Sequence, residues 1–370
     1  MQNAELIMDK QKGRQRGMKK KKLHLEFLRF LAILLVIFNH TGESGYLYFT
    51  TVPGSKLYPL YFFLSVLCKI AVPLFWMVSG ALLLEKEEDI KTLFLHRFLR
   101  MAVVLAVFSF GYYLYSAKGN PDFRLSPVYF LELLYSADLA PAFWYLYAYL
   151  GMLVILPVLR KAAKNMTDSE FMAFFAAMLL LRGIVPVLEY TLWHGERTIN
   201  PSFLGNFFSY DVVFFLMGYF LEHRLRAEEL KSSKALALAL LGAAVMILMM
   251  VGTQMRLRDG GLMTDAEGER FYAGLLFVPS AAVFYSSRLL FGNADEKMAF
   301  SKAIVTLGSV SFGGMLLEHF VRCETGFIFR ALNRVLPEFS SAVLWTIAVY
   351  LIGGLATWLL KKIPGVKKFI

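Results

Sequence analysis

The apolar residues of this chain fall into ten blocks, most of them about twenty residues long, divided by short polar stretches. About twenty helical residues cover the hydrocarbon layer of a bilayer, and a backbone crossing that layer must satisfy its own hydrogen bonds. With 57% of 370 residues hydrophobic and 18% charged, a soluble fold is excluded on composition as well. Hydropathy windows place helices near 23–42, 58–84, 97–117, 141–160, 170–192, 202–222, 234–252, 271–290, 303–321 and 341–360. The expected fold is therefore all-α: a polytopic membrane protein of about ten transmembrane helices. Residues 123–139 carry Arg124, Glu132 and Asp138 in a short apolar run, which suits a surface or re-entrant segment.

The formal charge of +11 does not point to nucleic acid, because the cations lie between apolar blocks rather than along one face. They read instead as a topology signal. With the N-terminus inside, 26 of the 39 lysines and arginines fall on the inner side and 10 on the outer, three lying within helices. Both termini are thus expected in the cytoplasm. Residues 1–22 are polar and basic and read as a disordered cytoplasmic segment, 23–362 as one membrane domain and 363–370 as a basic cytoplasmic tail. The basic run before an apolar one resembles a secretory signal, but no small-residue cleavage site follows, so the first helix is expected to stay. Cys68 and Cys323 make no metal spacing, and no metal is expected.

An ionisable group inside a bilayer costs several kcal/mol unless it faces partners or water, so its position hints at function. The first helix carries Glu26, Arg29 and His40. Eleven residues separate Arg29 from His40, about 20° around the axis and roughly 16 Å along it, so the two share a face. Glu26, three residues before Arg29, is placed to pair with it. Packing is the plain alternative for this trio, but three ionisable groups on one apolar helix favour function. Lys69, Arg182, Glu189, Asp211, Glu318 and His319 add polarity from other helices, while the seventh, eighth and tenth carry none and read as peripheral and lipid-facing. Glu318 and His319 should end level with His40 and Glu43, and an imidazole oriented by a carboxylate suits general-base activation of a hydroxyl. Interfacial solvation of the Glu-His pair explains it equally well. Arg97 and Arg100 are displayed together at the inner end of the third helix; such pairs bind phosphates, though cationic flanks are ordinarily topology anchors. Pro73 should kink the second helix, and Ser79-Gly80 offers close packing. Trp144 and Tyr145 read as an aromatic belt at the outer interface.

Taken together, these segments resemble the acyltransferase 3 family of bacterial membrane proteins. The resemblance rests on Arg29 and His40 as R-x10-H, PLFWMVSGALL at 73–83, and R-x-x-R at Arg97 and Arg100. FWYL at 143–146, FFLMGYFLE at 214–222 and GSVSFGGMLLEHF at 308–320 complete it, over residues 23–362. Where many relatives end the ninth helix with a Tyr-containing stretch and His, this chain has GMLLEH.

The resemblance implies an O-acyltransferase of the bacterial cytoplasmic (inner) membrane. It would move an acyl group, usually acetyl, from cytoplasmic acetyl-CoA or another acyl-CoA to a hydroxyl of an extracytoplasmic carbohydrate. His40 would be catalytic, as general base or transient acyl carrier, and Arg29 would support it or line the donor path. Arg97, Arg100 and Ser79 would bind the donor, and Glu26, Glu43, Trp144, Tyr145, Glu318 and His319 are candidate substrate contacts. A partner protein or a homo-oligomer could complete the transfer. A carrier for a small solute or lipid-linked sugar is the alternative class; inverted repeats would mark it, and no obvious halves are visible.

Overall fold

A computed structural model describes residues 22–118, 120, 123–200, 209–263, 273–295 and 297–370, and among them every regular element is a helix. The expected N-terminal segment 1–22 lies outside these residues except for Lys22. The principal helices are α1 (Leu23–Asn39), α2 (Tyr58–Leu83), α3 (Ile90–Tyr115), α4 (Pro127–Ser136), α5 (Trp144–Asn165) and α6 (Asp168–Trp193). After them come α7 (Tyr210–Tyr219), α8 (Ser232–Arg258), α9 (Phe277–Phe291), α10 (Ala299–Glu324), α11 (Gly326–Leu332) and α12 (Glu338–Leu360).

Seven of these, α2, α3, α5, α6, α8, α10 and α12, are long and apolar enough to cross a bilayer. The chain is a multi-pass membrane protein. The three other expected spans coincide with shorter helices: α1 of 17 residues, α7 of 10 residues prolonged by a π turn at Phe220–Arg224, and α9 of 15 residues. Their expected limits are wider partly because 202–208 and 271–272 lie outside the described residues.

Local chemistry sets several boundaries. Pro73 has no N–H, and its ring crowds the carbonyl four residues back. The helical run of α2 breaks there, at Lys69–Ile70, where both amides bond three residues back instead of four. Asp89 caps α3 by accepting from the Thr92 N–H at 3.1 Å. Thr167 and Glu170 form a capping box that starts α6. α4, in the stretch read as a surface segment, buries none of its side chains and touches α3 through Phe130 on Phe110, ring centroids 5.2 Å apart.

α1 lies at the centre, packed by α2, α9, α10 and α12. Two close approaches depend on glycine. A Cβ on Gly80 would stand 1.8 Å from the Phe215 carbonyl oxygen and one on Gly218 1.9 Å from that of Met77, so α2 and α7 pack backbone to backbone. On α10, a Cβ on Gly308 would meet the Glu26 carbonyl oxygen at 2.6 Å. α8 is peripheral, with 22% of its apolar window buried. The eighth expected helix is not: α9 buries Pro279, Ser280, Phe284 and Ser287 between α8 and the central helices. An uncharged helix is free to face lipid or protein, so a lack of ionisable groups does not distinguish the two.

Candidate active site

His40 caps the C-terminal end of α1, its N–H still bonded to the last helical carbonyls. Nδ1 lies 2.9 Å from Oε1 of Glu318 on α10. The carboxylate side chain is 1% exposed and the imidazole 20% exposed, so the pair is covered on the glutamate side and open on the histidine side. Arg322, one turn further along α10, brings its Nε to 3.6 Å from the other Glu318 oxygen. His319 points elsewhere: its Nδ1 lies 2.9 Å from Arg322 and its ring 5.8 Å from that of Tyr112. Of the adjacent Glu-His pair, only Glu318 bonds His40 in this arrangement. Glu43 is exposed on a short turn after α1.

The open face of His40 lines a chamber of about 500 Å³. Lys69, at the break in α2, and Asp211, in the first turn of α7, both line it. Aromatic walls come from Phe75, Trp144, Tyr145 and Tyr210. Trp144 is 41% exposed. Tyr145 departs from the expected belt, being 9% exposed and packed on Trp76 at 4.7 Å between centroids.

A second chamber of about 370 Å³ adjoins it toward the Arg29 end of α1. Glu26 accepts from Arg29 at 2.8 Å, the pairing expected from their spacing. Arg29, Arg100, Ser79 and Lys361 bring three cations and a hydroxyl into the same space. Lys361 comes from the end of α12, where its Nζ donates to the Ser309 carbonyl at 2.7 Å. Tyr149 lies near Arg29, Arg97 and Arg100 together.

The structure separates the two arginines of R-x-x-R. Arg100 lines the chamber, whereas Arg97, in the π turn Leu93–Phe98 of α3, donates from Nε to Glu88 at 2.5 Å. Arg160 binds the same carboxylate oxygen at 2.7 Å and the Leu83 carbonyl at 3.0 Å, tying α5 to the loop after α2. Burial would raise the Glu88 carboxyl, but hydrogen bonds from Arg97 and Arg160 prevail and hold it at about 2.

Lys361, Tyr149 and Ser309 are site residues that the sequence reading does not anticipate. Tyr149 sits one turn from Tyr145, a faint signal; Lys361 reads in the sequence as one cation among the flanking charges of α12.

These helices and chambers define a multi-pass membrane protein with a histidine–carboxylate pair at one of two adjoining cavities, the other of them cationic. The family model described as an acyltransferase domain matches residues 23–362, nearly the whole chain, and the chain belongs to the acyltransferase 3 family. It is a membrane acyltransferase. No curated protein and no solved structure matches it.

Proposed function

We propose that the protein is an O-acyltransferase that moves an acyl group, acetyl in the simplest case, from acyl-CoA in the cytoplasm to a hydroxyl of an extracytoplasmic cell-surface glycan. Both termini are cytoplasmic in this reading, so the arginine chamber opens inward and the His40 chamber outward. The observation that carries it is the His40–Glu318 pair at a chamber that abuts a second chamber holding Arg29, Arg100 and Lys361.

The donor phosphates sit against Arg100, Arg29 and Lys361, which suit them because guanidinium and ammonium groups make charge-assisted bonds to phosphate. Arg97, bonded to Glu88 outside that lining, joins by exchanging Glu88 for a phosphate oxygen. Ser79 lies along the path of the thioester arm. With its Nδ1–H donated to Glu318, His40 presents the Nε2 lone pair to the chamber and takes the proton of the acceptor hydroxyl. The hydroxyl oxygen attacks the thioester carbonyl, the tetrahedral oxyanion collapses, and the carbon–sulfur bond breaks. The leaving thiolate recovers the proton from His40, and an ester and a free thiol result. Asp211 and the aromatic walls supply hydrogen bonding and stacking for the sugar; Glu43 and His319 line neither chamber.

The test is transfer of label from radiolabelled acetyl-CoA to a surface-glycan extract by protein in vesicles. Wild type is expected to transfer, His40→Ala to lose transfer, and Arg100→Ala to raise the donor KM. Transfer retained in His40→Ala removes the catalytic assignment, and a wild type that neither binds nor uses acyl-CoA removes the enzyme reading.

A further inference from the structure

The two chambers share three lining side chains: Phe75 from α2, Tyr145 from α5 and Met315 from α10. On α2, Pro73 faces the His40 chamber and Ser79 the arginine chamber, with Phe75 between them in sequence. On α1 the same division falls between Arg29 and Val36. On α10, Ser311 and Phe312 line only the arginine chamber, and Met315 lies one turn before Glu318, directly beneath the carboxylate that orients His40.

The partition is apolar and held from behind. Met315 is 5% exposed, and Tyr145 is wedged between Trp76 at 4.7 Å and Phe75 at 6.0 Å, with Ser79 in hydrogen-bonding reach of its hydroxyl. Two of the three are rigid rings, and the third is an unbranched thioether with three rotatable bonds, the side chain best able to swing aside and return. Side chains of low polarity shared by a chamber that holds His40, Lys69 and Asp211 and one that holds Arg29, Arg100 and Lys361 are placed to keep water and ions from crossing while one slender group passes.

We propose that Phe75, Tyr145 and Met315 form the gate through which the acyl end of the donor reaches His40, and that Met315 is the residue setting the length of acyl chain admitted. The proposal rests on the acyl-transfer reading for its substrate, whereas the seal itself does not. A short acyl group passes when the Met315 side chain rotates; each added methylene must be accommodated in the space that side chain vacates. Cutting Met315 back to alanine enlarges the opening and relaxes the length limit.

Two measurements test it. In full-length protein carrying Cys68→Ser and Cys323→Ser, Ser79→Cys places one thiol on the arginine side. A charged, membrane-impermeant methanethiosulfonate added from the His40 face should label it slowly, and should label it about tenfold faster when Met315→Ala is added; Met315→Leu should stay slow. The same reagent applied from the arginine face should label all three alike. Fast labelling from the His40 face with Met315 intact, or no acceleration in Met315→Ala, overturns the gate. Second, the ratio of kcat/KM for propionyl-CoA over acetyl-CoA should rise about tenfold in Met315→Ala, a pocket methylene being worth about tenfold or more. An unchanged ratio overturns the length assignment. Phe75→Leu, a milder opening, carries both measurements should Met315→Ala fail to fold, with acceleration and a raised ratio again expected. If wild type uses no acyl-CoA, the enzymatic reading fails, and the labelling pattern still decides whether the seal exists.

Discussion

Replacing Glu318 by Gln changes one charge and almost no volume, so its effect is set by the groups around that carboxylate. The side chain is 1% exposed, with His40 Nδ1 2.9 Å from one oxygen and Arg322 Nε 3.6 Å from the other. A guanidinium only donates, so the Gln carbonyl turns toward Arg322 and the amide N–H groups turn toward His40. Nδ1 must then accept, which puts the ring proton on Nε2 and leaves no lone pair for the acceptor hydroxyl. General-base catalysis is worth about 10²–10⁴ in rate, or ~2.7–5.4 kcal/mol. Glu318→Gln is therefore expected to lower kcat by that factor while donor KM, set at the distant arginines, stays within about twofold. The assay is steady-state acetyl transfer with varied acetyl-CoA, alongside thermal unfolding in detergent to confirm that the variant is folded. A folded Glu318→Gln protein with kcat within about threefold of wild type would refute the dyad.

The packing and the charges lead to three further outcomes. Gly308→Ala puts a methyl 2.6 Å from the Glu26 carbonyl oxygen, pushing α10 from α1; unfolding should show a loss of about 1–3 kcal/mol, with kcat falling because His40 and Glu318 ride on those two helices. Gly80→Ala meets the Phe215 backbone and should cost about 3 kcal/mol or more, read as loss of folded protein on size exclusion. The lowered Glu88 carboxyl contributes stability that is fully present above its ordinary value of 4.5 and is lost as pH falls toward about 2. Wild type should therefore unfold at a higher temperature than Glu88→Gln at pH 6, and the difference should shrink by pH 3.

Much of this arrangement is legible in the sequence because a bilayer punishes polarity. Arg29 and Glu26 can be paired from spacing alone, and His40 can be set level with Glu318 and His319 from helix direction. Which of those two neighbours faces His40 cannot, since they point about 100° apart and the rotation of α10 is fixed by Gly308 against Glu26. The division of labour in R-x-x-R is hidden for a similar reason: Glu88, which claims Arg97, lies in a loop whose course depends on Arg160 of α5. Lys361 and Tyr149 reach the arginine chamber from helices far apart in sequence, and only the packed bundle brings them together. Pro73 announces the break at Lys69–Ile70, but not that the break aims Lys69 at the His40 chamber.

Donor and acceptor are proposed to meet from opposite faces of the membrane, and sealed vesicles of one protein orientation decide whether they do. Labelled acetyl-CoA is confined to the face of Arg29, Arg100 and Lys361, and the glycan acceptor to the face of His40. Label is predicted on the acceptor in this arrangement and not when the two compartments are exchanged. Equal labelling after the exchange, or labelling only when both reactants share one face, would contradict the account.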